Sequence, residues 1–111
     1  MPNGESKNWV RFQITLEKFY TLFGRWPTRI YLYSFFINEL QKKLSQNDFQ
    51  RLQSMIHIIA DDDNPFLAFD NEGNKFDYAR GIHTLEGAQS RRWKSIKALE
   101  WLKIKEPDYY D

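Results

Sequence analysis

The chain has no cysteine. That one absence removes disulfide staples, thiolate zinc sites, iron–sulfur clusters and cysteine nucleophiles together. Glycine is sparse too, and its five residues are scattered instead of gathered at a strand-to-helix turn. A phosphate-cradling loop therefore has nothing to be built from. Net charge is almost nil, +1 from 16 basic and 15 acidic residues, which gives no whole-chain attraction to a polyanion or an anionic membrane. No apolar run approaches the roughly 20 residues that span a bilayer. The opening MPNGESKN lacks the apolar stretch of a secretory signal. No segment recurs at a fixed period and none is low in complexity. The expectation is a soluble, cytoplasmic protein with no membrane association and no cofactor.

Aromatic residues, by contrast, are abundant: 17% of 111 residues, with Trp, Tyr and Phe all represented. Each buries a large area, so a short chain can still gather enough apolar surface to offset its conformational entropy. This length suits one domain and is too short for two independent cores. Residues 1–8 read as a disordered end, 9–106 as the domain and 107–111 as a polar tail.

The domain is organised around residues 24–60. RIYLY at 29–33 alternates, placing Ile30 and Leu32 on one face and Arg29, Tyr31 and Tyr33 on the other. Ser34 is positioned to cap a helix with Phe36, Ile37, Leu40 and Leu44 on one side. Ser45 interrupts that helix, and Ser45 to Asp48 resembles a capping box with Asp in place of Glu, so a second short helix follows at an angle. MIHIIA, 55–60, is short, rich in β-branched residues and bounded by an acidic turn, the pattern of a strand buried on both faces. Two strands joined by about 20 helical residues imply a parallel crossover. A hairpin follows, with strands at 66–70 and 75–78 and Gly73 available for a positive φ. Before this unit, Val10, Phe12 and Ile14 alternate like a strand while Trp9, Phe12, Leu16, Phe19 and Phe23 follow helical spacing, which leaves residues 9–14 open between strand and helix; Thr15 reads as the cap of a helix over about 15–23, or of one that starts earlier, with Gly24 as its left-handed terminator. After it, a last helix runs from Ala88 or Ser90 to Lys103. The fold class is therefore α+β, a small mixed sheet of about four strands with helices mainly on one face.

Five groups of residues invite a chemical reading. Acids crowd positions 61–77, as Asp61, Asp62, Asp63, Asp70, Glu72 and Asp77 against Lys75. A calcium loop with Gly73 at its sixth position needs its first ligand at Ala68, so the pattern fails and a solvated hairpin explains the acids. His57 and His83 could form the acid–base pair of a small ribonuclease, with Arg80, Arg91 and Arg92 to hold a phosphate. Against that pair, a half-exposed neutral imidazole is the ordinary fate of a His in an apolar strand. Ser34, Ser45 and Thr15 have capping explanations, and no Ser lies in a glycine-flanked elbow. No catalytic residue and no metal ligand is nominated.

Residues 80–105 are basic and contain Trp93 and Trp101, a mixture suited to gripping phosphates and stacking on bases. Arg91, Arg92 and Lys94 are its nucleic-acid candidates. On one continuous helix, though, the basic residues spread around most of the circumference, the pattern of solvated lysines beside a core. In the stretch Arg25-Trp26-Pro27-Thr28-Arg29, Trp and Arg, the types enriched at binding hot spots, are held by a Pro-stiffened connector. The plainer reading makes Trp26 a plug at the bottom of the sheet. Together the residues point to a non-enzymatic binding module with a protein partner or self-association, working through Arg25, Trp26, Arg29, Tyr31 and Tyr33. Nucleic-acid binding and a ribonuclease-like activity are the alternatives.

Overall fold

A computed structural model describes residues 4–78 and 94–107. Its elements are α1 (Gly4–Phe23), β1 (Arg29–Leu32), α2 (Ser34–Lys43), α3 (Gln46–Met55), β2 (His57–Ala60), β3 (Leu67–Phe69), β4 (Lys75–Asp77) and α4 (Ile96–Leu102). The four strands form one mixed sheet in the order β2-β1-β3-β4. β1 and β2 are parallel, and β3 runs antiparallel to β1 and to β4. The α+β class, the crossover of two helices with a corner, and the hairpin are as the sequence implies. Among the described residues no helix is long and apolar enough to cross a membrane.

The corner works as its sequence suggests. Ser45 is the N-cap of α3, and its hydroxyl accepts from the Asp48 N–H at 3.1 Å. The start of α2 does not. The capping position is Tyr33, and Ser34 is the first helical residue. The Ser34 N–H and hydroxyl instead donate to Asp62 Oδ1, at 2.8 and 2.9 Å, so the loop after β2 supplies the cap. A short-range capping rule misses a carboxylate 28 residues away.

The first helix also differs. It starts at Gly4 and takes in residues 4–8, assigned above to a disordered end. Thr15 lies mid-helix, its hydroxyl donating back to the Arg11 carbonyl at 2.7 Å. That local bond lets a polar β-branched residue sit fully buried in a helix. Gly24 does end the helix at φ +72°, its N–H reaching the Tyr20 carbonyl.

Alternate strand residues Ile30, Leu32, Ala68 and Phe76 are buried and join one core with Phe12, Leu16, Phe19, Phe36, Leu40 and Leu52 of the helices. α1 lies against β3 and β4, and α3 against β2. Phe66, just before β3, adopts φ +62°, a left-handed conformation rarely used by bulky residues. It is held there by its N–H on the Tyr31 carbonyl and its carbonyl on the Tyr78 N–H, with the ring buried against Phe36.

Two further expectations are overturned. β2 is an edge strand, with His57 and Ala60 exposed and Ile58 and Ile59 half-buried. Of the run 55–60 that suggests burial on both faces, Ile56 alone is buried, and it precedes the strand. The last helix starts at Ile96, because Ser95 caps it by accepting from the Ala98 N–H, and Lys94 precedes it without helical structure. It ends at Lys103, left-handed at φ +56°.

Candidate functional site

The side of the sheet opposite the buried Ile30–Ala68–Phe76 row carries two ranks of side chains. Strand register aligns His57, Arg29, Phe69 and Lys75 in one rank, and Ile59, Tyr31, Leu67 and Asp77 in the next. Period-two alternation puts both on the same face. All of them keep partial or full exposure. At about 4.8 Å between strands, the first rank spans roughly 14 Å.

The Arg29 guanidinium lies over the Phe69 ring, 4.2 Å from its centre. A cation in that position is attracted by the negative face of the ring. Its Nε–H is buried and has no hydrogen-bond partner among the described residues. Tyr31 meets Phe69 edge-to-face at 5.2 Å. Lys75, on the other side of Phe69, is exposed and forms no ion pair among the described residues. Arg29, Tyr31, Leu67, Phe69 and Lys75 line a shallow concavity of about 390 Å³, walled by the turn between β3 and β4.

That turn is rigid for a definite reason. The Asp70 side chain is buried, and it accepts from the Glu72 N–H, the Asn74 N–H and the Asn74 amide at 2.9–3.0 Å. Arg25 closes over it, 4.0 Å from Asp70 and 3.5 Å from Glu72. Gly73 takes φ +89°, as the hairpin requires. Arg25 thus braces the wall of the concavity. Two further acids of this stretch are also engaged: Asp61 accepts from the Asp63 and Asn64 N–H groups, and Asp62 from Ser34.

Both Asp62 and Asp70 are held below the ordinary carboxyl value. For Asp62 the backbone N–H of Ser34 is the main cause, with its hydroxyl second. For Asp70 burial is the largest single influence and acts upward, but the Asn74 side chain, the Asn74 and Glu72 N–H groups and Arg25 together outweigh it. A carboxyl with a lowered folded-state pKa binds fewer protons folded than unfolded, so its stabilisation is complete above the unfolded value, 3.8, and drains as pH falls through the folded value. Stability by urea titration is therefore expected to be flat with respect to these groups above about pH 5 and to fall below pH 4. Asp62→Asn should make that acid limb shallower. An unchanged limb in the variant would show that Asp62 does not contribute to it.

The remaining nominated residues divide. Trp26 is sandwiched, with Tyr20 stacked on one side at 4.5 Å and Trp101 on the other at 4.6 Å and 5° from parallel. It rivets the end of α1 to α4, so its faces are already occupied. Tyr33 lies beyond the end of β1 and packs on Phe35 and Phe66 instead of continuing the Arg29 and Tyr31 face. Lys94 pairs with Glu106 at 3.8 Å. Arg80, His83, Arg91, Arg92 and Trp93 lie outside the described residues.

Sequence pattern alone reaches Arg29 and Tyr31, singles out His57 only for a different chemistry, and does not reach Phe69 or Lys75. Alternation across residues 66–70 separates Phe69 from Ala68, and it is the cross-strand register that aligns Phe69 with Arg29. No protein-family model matches the chain, and neither a curated protein nor a solved structure matches it.

Proposed function

We propose that the chain is a binding module whose working surface is the open face of the sheet, and that this face takes single-stranded nucleic acid. The supporting observation is the rank His57–Arg29–Phe69–Lys75, in which cationic and imidazole side chains flank an aromatic ring and one guanidinium N–H is left unpaired. Single strands are held by combining phosphate-binding cations with aromatic platforms, and sheet faces do this when rings project from their inner strands. Here Tyr31 stands on β1 and Phe69 on β3, the two inner strands. The near-zero net charge is no obstacle, because the contacts are local and few. It limits the reading to modest affinity that fades with salt. A protein partner was the first expectation from composition. Arg25, Tyr31 and the Tyr20–Trp26–Trp101 stack, which lines a second concavity, fit that as well, but Arg29 and Lys75 on either side of Phe69, without an ion pair among the described residues, fit a polyanion better.

The test is fluorescence anisotropy with labelled oligouridine and oligothymidine of about ten nucleotides, starting near 50 mM salt. Binding is expected, with Arg29→Ala and Lys75→Ala each flattening the log–log salt dependence by about 0.7, the value for one phosphate contact on a single strand. No binding at low salt would overturn the proposal. Capture of a protein from cells that survives nuclease treatment, without oligonucleotide binding, would transfer the face to a protein partner.

A further inference from the structure

β2 ends the sheet, and among the described residues nothing pairs with its outer side. Edge strands are ordinarily protected by charge, proline or a bulge. His-Ile-Ile-Ala carries no proline and neither Lys nor an acid, and its protection would have to come from the acids that follow it. The His57 and Asp61 N–H groups donate inward to the Thr28 and Leu32 carbonyls, at 2.8 and 2.9 Å. Alternation then turns the N–H and C=O of Ile58 and Ala60 outward.

We infer that this edge pairs antiparallel with β2 of a second copy, about a two-fold axis at Ile59, so that two sheets become one of eight strands. Three observations select that occupant and register. A two-fold pair centred on Ile59 sets Ile58 of each copy opposite Ala60 of the other, which joins all the outward groups of the strand in two hydrogen-bonded pairs. A slide of one step either way leaves a single such pair within the strand. The same register sets His57 opposite Asp61 of the second copy, twice, an imidazole donor against a carboxylate that still has Oδ2 to offer, since its turn uses Oδ1. Finally, antiparallel pairing holds the two Asp61–Asp62–Asp63 clusters at opposite ends, whereas parallel pairing would bring them together. The axis is perpendicular to the sheet and leaves both open faces on one side, with His57 shared between the seam and the binding rank, so association is measured without nucleic acid.

The experiment is sedimentation velocity of the full chain over a wide concentration range. A species of twice the 13.4 kDa chain mass is expected. Ala60→Pro removes an outward N–H while sparing the bonds to β1, and its exposed side chain touches no core. It should be monomeric with an unchanged far-ultraviolet spectrum. Because proline can also strain the strand, the exposed His57 provides a second measurement. His57→Asp should weaken dimerisation about tenfold by facing Asp61, and His57→Lys should preserve it. A protein that stays at 13.4 kDa at every concentration, or a dimer indifferent to the His57 pair of variants, overturns the inference.

Discussion

Phe36→Ala is expected to destabilise the protein by about 3–5 kcal/mol, the range for deleting a fully buried aromatic ring. The ring has no solvent exposure and is the middle link of a chain of rings. Phe12 of α1 lies 6.1 Å away on one side and Phe66, at the entry to the hairpin, 6.0 Å away on the other. Trp9 continues the chain beyond Phe12, and Tyr78 beyond Phe66. Removing Phe36 therefore leaves a cavity where α1, α2 and the hairpin meet, and it also forfeits two ring–ring contacts worth about 0.5–1.5 kcal/mol each beyond area burial. A domain of this size has roughly 5–15 kcal/mol in all, so the variant should stand near its folding limit, with a midpoint in urea displaced without a large change in slope. The neighbouring Phe35 is the control. It is 55% exposed and among the described residues stacks on one ring, Tyr33, so Phe35→Ala should change stability by no more than about 0.5 kcal/mol. Equal effects of the two substitutions would contradict the assignment of the core.

Period and capping chemistry made the middle of the chain legible. RIYLY, the Ser45 corner and the glycine-containing hairpin are each decided within a few residues, and their elements form where the sequence places them. The failures share a cause, which is the use of a distant partner. Ser34 is capped by Asp62, so its own capping chemistry misleads. Gln13 is buried because its side-chain oxygen accepts from the Ser95 N–H, 82 residues away, at 2.9 Å. Ser95, also buried, caps α4 and donates to Glu17 of α1. A polar cluster of this kind sits among the buried Trp9, Val10, Phe12, Ile14 and Leu16, whose spacing fits a strand as well as a helix, so periodicity does not decide residues 9–14. β2 is ambiguous for the opposite reason: a short β-branched run is compatible with a central or an edge strand, and only sheet order decides between them. The candidate face suffers the same limit. Arg29 and Tyr31 were visible as one side of a strand, but the guanidinium, Phe69 and Lys75 meet only through long-range register.

Tyr31→Ala is expected to reduce affinity for a single-stranded oligonucleotide by roughly 5- to 150-fold, the loss of about 1–3 kcal/mol that accompanies removal of one base-stacking ring. Tyr31 is the ring chosen to carry a base because Phe69 already holds the Arg29 guanidinium over its face. The phenol is half-exposed on the central strand and contributes nothing to the buried row beneath, so the fold should tolerate its loss. The form of the loss matters more than its size. Stacking is nearly indifferent to ionic strength, whereas each phosphate contact releases counterions. Tyr31→Ala should therefore lower affinity at every salt concentration and leave the salt slope unchanged, Arg29→Ala should reduce the slope, and Tyr31→Phe should retain most of the affinity. Arg29→Lys gives a separate signature, because an ammonium keeps the charge but loses the planar group that lies on Phe69, so slope should persist while affinity falls. If Tyr31→Ala and Arg29→Ala instead altered binding in the same way at all salts, the ring and the cation would not be dividing stacking from phosphate contact, and the face would have to recognise its partner by another chemistry.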